Sequence, residues 1–219
     1  MEPNLARSLT SRGIVFGLVI VFLYYISPDS GVSALRKMNG ALTNARSWKV
    51  HTVVNEPTKN IESTVEVYCP SRLHSVQKSI VTDGGTPIEN SSELIWIEGA
   101  SYHRKALHWM VNSEERMQTA SCAMGPRASD TLLQSLDMIL LNGKVQKGGK
   151  RLVEGARCRD WILSVPVPGG WRQEYGVCVG DGDLPLEVYT PDRRMVETYS
   201  DWNAPIKIEA PAAEDIVAR

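Results

Sequence analysis

The sequence predicts a mainly β domain of the α+β class: a strongly curved antiparallel sheet, or open half-barrel, with helices packed on its concave face as a lid. Segments rich in β-branched and aromatic residues recur roughly every ten to fifteen residues, with turn residues between them. Only two stretches, one near the start and one in mid-chain, show the apolar spacing of a helix. Two helices cannot cover both faces of about ten strands, whereas a curved sheet can receive both on one face.

Composition fits a globular domain with an appendage. The chain has 219 residues, of which 42% are hydrophobic and 22% charged. Its net charge of -1 gives no electrostatic reason to expect a nucleic-acid partner. Six Trp and seven Tyr against two Phe suit strand faces and amphiphilic ligands, and an ordinary β-rich core explains them equally well.

The N-terminus carries a membrane-targeting signal. Residues 1–12 form a positive segment, predicted to be cytoplasmic, and residues 13–27 are an uncharged apolar run. This run is a signal peptide or a transmembrane signal anchor, because it is short for a permanent span. Tyr24 and Tyr25 favour retention in the membrane, and the small residues 31–34 favour cleavage. Under either outcome the positive-inside rule places the rest of the chain outside the cytoplasm.

The domain begins with an amphipathic helix and continues with strands. Residues 32–47 place Leu35, Met38 and Leu42 on one side of the helix, which ends near residues 44–47. Strand-like segments follow, separated by Pro, Asp and Gly turn residues, at residues 48–56, 63–70, 72–81, 93–99 and 101–111.

A second helix interrupts the strands. Residues 128–143 have a polar cap at their start, an Asn-Gly stop, and one apolar stripe formed by Leu132, Leu133, Leu136, Ile139 and Leu140. Strand signals then resume at residues 144–153, 157–165, 171–179, 185–190, 194–202 and 205–211. In the last of these, Ile206 and Ile208 face one way and Lys207 and Glu209 the other. Residues 212–219 are expected to be a flexible tail.

The four cysteines are an even number in an exported chain, compatible with two disulfides. Residues 157–165 and 171–179 flank a five-residue turn. Closing this hairpin places Cys158 directly opposite Cys178, within disulfide range. Two unpaired core thiols are the alternative. Cys69 and Cys122 are the two remaining cysteines and hence the candidate second pair, although the sequence gives no geometric argument that they pair.

The sequence shows no recognised catalytic or metal-binding motif. We therefore predict no catalytic residue, metal or cofactor, and an enzyme of unrecognised type is a minor alternative. His103 and His108, five apart on one expected strand, would point to opposite faces. The basic residues around "KGGK", 144–151, are expected to form a solvated hairpin tip, and contact with anionic head groups is the alternative.

Several stretches resemble the LolA-like proteins, the periplasmic lipoprotein carriers, and their LppX-like lipid-binding relatives. The resemblance rests on the domain-opening helix, the Leu-rich mid-chain helix and residues 178–211. That last stretch combines Tyr-Ser-Asp-Trp-Asn with a Pro and an alternating Ile-Lys-Ile run. The likeness covers roughly residues 31–211, which we take as the LolA-like domain.

The resemblance implies an open half-barrel whose apolar cavity binds lipid or lipoprotein acyl chains, without bond chemistry, for transfer between envelope sites. It also implies the periplasmic side of a bacterial cell envelope, with the chain secreted there or anchored in the inner membrane through residues 13–27. An anchored chain would not shuttle. A membrane-tethered sensor with a protein partner in the envelope is therefore the alternative function. The residues expected to line the cavity, which would equally make an ordinary core, are Leu35, Met38, Leu42, Trp48, Trp96, Trp109, Leu132, Leu133, Leu136, Ile139, Leu140 and Trp161.

Overall fold

The computed structural model describes residues 31–69, 71–83, 86–112, 143–166 and 169–217. These residues are mainly β, with one α-helix and a single open sheet of twelve strands. The elements are α1 (Gly31–Asn44), β1 (Ser47–Glu56), β2 (Lys59–Tyr68), β3 (Arg72–Asp83), β4 (Thr86–Ile97), β5 (Ala100–Lys105), β6 (His108–Asn112), β7 (Lys144–Val153), β8 (Ala156–Pro166), β9 (Arg172–Gly180), β10 (Pro185–Tyr189), β11 (Met195–Ser200), a 3-10 turn (Ala213–Asp215) and β12 (Ile216–Val217).

The strand order is β12-β6-β5-β4-β3-β2-β1-β11-β10-β9-β8-β7. Each neighbouring pair is antiparallel except β12 and β6, which are parallel. The two runs of hairpins, β1 to β6 and β7 to β11, meet where β1 pairs with β11 in the middle of the sheet. The antiparallel meander expected from the sequence is therefore present.

Helix α1 packs on one face of this sheet. Leu35, Met38 and Leu42 are fully buried, in one cluster with Trp48 of β1 and Trp161 of β8. Removing such a side chain to Ala typically costs about 2–5 kcal/mol. The amphipathic helix and its apolar side are as the sequence predicts.

The register assigns side chains to the two faces, because directly paired residues point the same way. Trp48, Val67, Leu73 and Trp96 form one such row across β1 to β4, on the face that carries α1. The helix predicted at residues 128–143 lies outside the described residues. A lid made of two helices thus remains an expectation.

The expected strand at residues 205–211 is wrong. These residues are extended but do not pair with the sheet, and they cross the end of its strands. Ser47 Oγ donates to the carbonyl of Ala204 at 2.6 Å, and Arg72 Nη1 to that of Ile208 at 3.2 Å. Ile208 is buried with Ile95. Alternation of apolar and polar residues shows only that one side of an extended segment is buried. An extended segment that packs on the sheet without pairing therefore gives the same pattern as a strand.

The tail expected at residues 212–219 has secondary structure up to its last described residue. Ala213–Asp215 form a 3-10 turn, and Ile216–Val217 pair in parallel with Trp109 and Met110 of β6. Ile216 also packs beside Trp109. The end of the chain therefore covers the β6 edge of the sheet.

Residues 101–111, expected to be one strand, are instead two. β5 and β6 form a hairpin that turns at Ala106, whose φ is 56°. His103 pairs with Met110 and Lys105 with His108, so the two histidines lie on the same face, contrary to the expectation.

Over the described ranges, no helix is both long and apolar enough to span a membrane. The apolar run at residues 13–27 lies outside these ranges.

Candidate ligand-binding site

A β-bulge in β7 organises one side of the sheet. Lys147 pairs with Trp161 and Lys150 pairs with Arg159. Gly148 and Gly149 of β7 are therefore both opposite the single residue Asp160 of β8. A Cβ atom on Gly148 would lie 2.8 Å from Asp160 Cβ, which explains the glycine. The "KGGK" segment is thus a bulge within a strand and not the expected hairpin tip.

The bulge changes which side chains face α1. Lys147 and Lys150 are three residues apart, a spacing that would put them on opposite faces of a regular strand. Here both share the face of Trp161, the side that carries α1. Arg151 consequently points to the other face, where it meets Asp160.

A cavity of about 730 Å³ lies between α1 and the β7–β9 end of the sheet. Its inner wall is apolar: Trp161 and Val179 are buried in the core cluster, and Ala34 of α1 packs against them. Its mouth is charged, because the exposed lining residues include Lys37, Lys150, Arg157 and Asp181. The full lining is Ala34, Lys37, Lys150, Arg151, Leu152, Arg157, Cys158, Arg159, Trp161, Val179, Gly180, Asp181 and Asp183. An apolar interior with polar groups at the opening is suited to an amphiphilic ligand.

Behind this cavity, on the opposite face, a charged cluster joins β7, β8 and β10. Arg151 Nε donates to Asp160 Oδ2 at 2.9 Å, and Arg151 Nη2 to Glu187 Oε1 at 2.5 Å. Arg193 donates to both oxygens of Glu187 at 3.1 Å. Burial disfavours the charge of Arg151, but the hydrogen bonds to Asp160 and Glu187 outweigh it and raise its pKa. The guanidinium thus stays charged and links β7 to β8 and β10.

Tyr189 belongs to the same cluster. Its hydroxyl donates to Asp160 at 3.1 Å, and the guanidinium groups of Arg151 and Arg193 lie 5.2 and 4.8 Å from its ring centre. Burial, followed by the nearby Asp160 carboxylate, raises the pKa of Tyr189. Sequence reasoning missed this cluster, because its members are brought together by strand pairing and share no motif.

The disulfide between Cys158 and Cys178 is confirmed, with Cα atoms 5.5 Å apart. The predicted register of its hairpin is wrong by two residues, since Cys158 pairs with Gly180 and Asp160 with Cys178. A shift of two keeps every side chain on its expected face, so the cysteines still meet diagonally. Cys69 is also disulfide-bonded. Cys122, its predicted partner, lies outside the described residues.

The structure separates the predicted cavity residues into groups. Leu35, Met38, Leu42, Trp48 and Trp161 form one cluster under α1, and Trp161 also reaches the cavity.

Two of the predicted tryptophans lie elsewhere. Trp96 is buried on the same face of the sheet, beyond β2 and β3. Trp109 is on the opposite face with Ile95 and Ile208, so it does not line a space under α1. The remaining five, which lie outside the described residues, are Leu132, Leu133, Leu136, Ile139 and Leu140.

Within the part of the chain that the structure describes, no three His, Cys, Asp or Glu side chains are placed to hold a metal ion.

Comparison with known proteins finds no matching family model and no matching curated protein. Among solved structures, LprF from Mycobacterium bovis matches with a TM-score of 0.59 and 17% identity, over 85% of this chain and 99% of LprF. LppX from Mycobacterium tuberculosis matches with a TM-score of 0.49 and 15% identity, over 81% of this chain and 97% of LppX. MucB matches with a TM-score of 0.40 and 14% identity, over 84% of this chain and 61% of MucB. The likeness to LprF shows the fold, which is the LolA/LppX-like fold that the sequence resembles.

Proposed function

We propose that this chain is an exported, non-enzymatic protein that binds acyl chains of a lipid or lipoprotein between α1 and the sheet. The acyl chain enters through the cavity at β7–β9 and lies against the apolar residues under the helix. Binding takes place on the periplasmic side of a bacterial cell envelope. The fold shared with LprF supports the architecture of this proposal, and the geometry of the cavity supports the ligand.

The observation that carries the proposal is the continuity between cavity and core. Trp161 and Val179 line the cavity and also pack in the cluster around Leu35 and Met38. A chain that enters the cavity can therefore extend under α1 by displacing core contacts, with no polar barrier at the inner wall. Each methylene group moved out of water contributes about 0.8 kcal/mol, so a few buried carbons offset a modest rearrangement of the helix.

Two buried indole groups add support. The Nε1 atoms of Trp48 and Trp96 are inaccessible to water and have no hydrogen-bond partner among the described residues. Leaving such a donor unpaired costs about 1–3 kcal/mol. Both side chains lie on the face that carries α1. The ester carbonyls of an acylated ligand on this face would supply the missing acceptors.

Filling the cavity tests the proposal. Ala34 is half-buried in the cavity wall, whereas Arg36 is exposed on the same helix. We expect Ala34→Trp to weaken binding of a fluorescent palmitoyl probe by about tenfold or more, because the indole fills the space beside the inner wall of the cavity, and Arg36→Trp to leave it unchanged. The measurement is a fluorescence titration of the delipidated chain, with Ala34→Leu as a milder variant and thermal unfolding as a check of folding. A wild-type chain without saturable uptake of the probe would contradict the proposal.

A further inference from the structure

The mouth of the cavity carries basic side chains that form no ion pair with other described residues. Arg151 lines the cavity but is paired with Asp160 and Glu187 on the opposite face. Four other cations remain at the mouth, opposed by two carboxylates: Lys37, Lys150, Arg157 and Arg159, with Asp181 and Asp183. Among the described residues, no ion pair is recorded for any of these four cations.

Three of these cations are placed by strand pairing. Lys150 and Arg159 are direct cross-strand partners, and Arg157 is two residues from Arg159 on the same face. Like charges placed directly opposite each other on a sheet are destabilising. The bulge at Gly148 creates this opposition, because without it Lys150 would face away from Arg159. An arrangement that costs stability and points into a cavity is typical of a site for an anion.

The charged mouth and the apolar inner wall are parts of one cavity. Arg159 lies beside Trp161 along β8, and Arg159 pairs with Val179 of β9. A ligand with a negative group at the guanidinium of Arg159 can therefore place its apolar part against Trp161 without leaving the cavity.

We infer that this cavity selects an anionic amphiphile: a negatively charged head group, such as a phosphodiester, binds at Lys150, Arg157 and Arg159 while the acyl chain lies against Trp161 and Val179. The inference rests on the proposed function, since it names the class of ligand for the same site. Free phosphate shares the chemistry of the head group but lacks the acyl chain, so it binds weakly here.

The test compares two probes with the same palmitoyl chain, both below their micellar concentrations: anionic lysophosphatidylglycerol and zwitterionic lysophosphatidylcholine. We expect the delipidated chain to bind the anionic probe about tenfold more tightly, given the usual contribution of basic residues near anionic lipid. The double variant Lys150→Gln/Arg159→Gln should remove this preference. The matched control Lys78→Gln/Lys105→Gln, at two exposed positions outside the cavity, should keep it.

Two further measurements use salt and inorganic phosphate. The preference should diminish as the salt concentration rises, because exposed charges are screened. Inorganic phosphate at the same concentrations should show no measurable binding by calorimetry. Phosphate that binds as tightly as the lysolipid would overturn the assignment to an amphiphile.

The outcomes separate the two proposals. Equal binding of both probes, or a preference that survives in Lys150→Gln/Arg159→Gln, would overturn this inference and leave acyl-chain binding in place. Failure of both probes to bind the wild-type chain would overturn the proposed function as well. Thermal unfolding of each variant verifies that a lost preference does not come from a lost fold.

Discussion

Gly176 supports the charged cluster behind the cavity by lacking a side chain. The ring of Tyr189 lies across this position in β9, and a Cβ atom added there would clash with it. The same ring accepts cation–π contacts from Arg151 and Arg193. Glycine in a strand often marks such a close approach. The absence of a side chain at Gly176 therefore allows the ring of Tyr189 to take the position in which it contacts Arg151.

We expect Gly176→Ala to lower the free energy of unfolding by about 1–3 kcal/mol, because the added methyl group forces Tyr189 out of its position. Gly40→Ala is the matched control. Gly40 lies in α1 with open space where a Cβ atom would be, so alanine there should raise the free energy of unfolding by about 0.5–1 kcal/mol. Urea unfolding of both variants measures the two changes. Equal effects of the same sign would contradict the assigned contact.

At the scale of elements, five neighbouring strands are linked by charges on the face away from α1. Lys49 of β1 contacts Glu66 of β2 at 3.0 Å, and His74 of β3 lies 3.2 Å from Glu66 and 3.0 Å from Glu93 of β4. Arg104 of β5 completes the row, 2.8 Å from Glu93. These side chains are partly exposed, so each contact contributes less than about 1 kcal/mol.

This row makes stability depend on pH. Burial alone would raise the pKa of Glu66 and Glu93, but hydrogen bonds from Lys49 and His74, and from Arg104 and His74, hold both below the ordinary 4.5. Because folding lowers these pKa values, the stabilisation is complete above pH 4.5. It is lost as the pH falls through the lower values of the folded state.

We expect Glu93→Gln to lower the free energy of unfolding at pH 7 by about 0.5–1 kcal/mol, a difference that shrinks as the pH falls below 4.5. Glu89→Gln on the same strand is the control. Glu89 is exposed and outside the row, so this change should have no effect at either pH. Urea unfolding at pH 7 and pH 3.5 provides the comparison. A Glu93→Gln deficit that is just as large at pH 3.5 would refute the explanation.

The elements that sequence reasoning recovered are those governed by local pattern. The stripe of Leu35, Met38 and Leu42 needs only helical spacing, and the pairing of Cys158 with Cys178 tolerates a register error of two. Features that depend on hydrogen-bond partners were missed. Residues 205–211 alternate without pairing, and the "KGGK" bulge can be identified only once β8 is known to oppose it.

The candidate site was predicted only in part, because a site depends on which strands become neighbours. Trp161 lines the cavity, whereas Trp109 lies on the opposite face because of the two-residue turn between β5 and β6. Arg157 and Arg159 have no distinguishing pattern in the sequence, and their shared face with Lys150 follows from the bulge.

At the scale of the whole molecule, α1 crosses the sheet and links its two halves. Gly31 lies against Val145 of β7 and Trp161 of β8, and the helix then leads into β1, five strands away. A helix of 14 residues is about 21 Å long, close to the roughly 24 Å that five strand spacings require. The helix therefore covers the strands between, and its first turns form the roof of the cavity.

The two edges of the sheet are protected in different ways. At one edge the two-residue strand β12 covers β6. At the other edge β7 carries lysines and a bulge, both of which discourage another strand from adding to the sheet. An open sheet with protected edges can keep one face available for a ligand without aggregating through its backbone. We propose that this face, under α1, takes up an acyl chain.

The most direct measurement is photo-crosslinking with palmitic acid that carries a diazirine at the end of its chain, followed by peptide mapping. We expect saturable labelling of peptides from Gly31–Asn44 and Ala156–Pro166 that unlabelled palmitate competes away and that Ala34→Trp reduces. Labelling that does not saturate, or that falls on the exposed Ile80 and Ile88 of the β3–β4 hairpin instead, would contradict it.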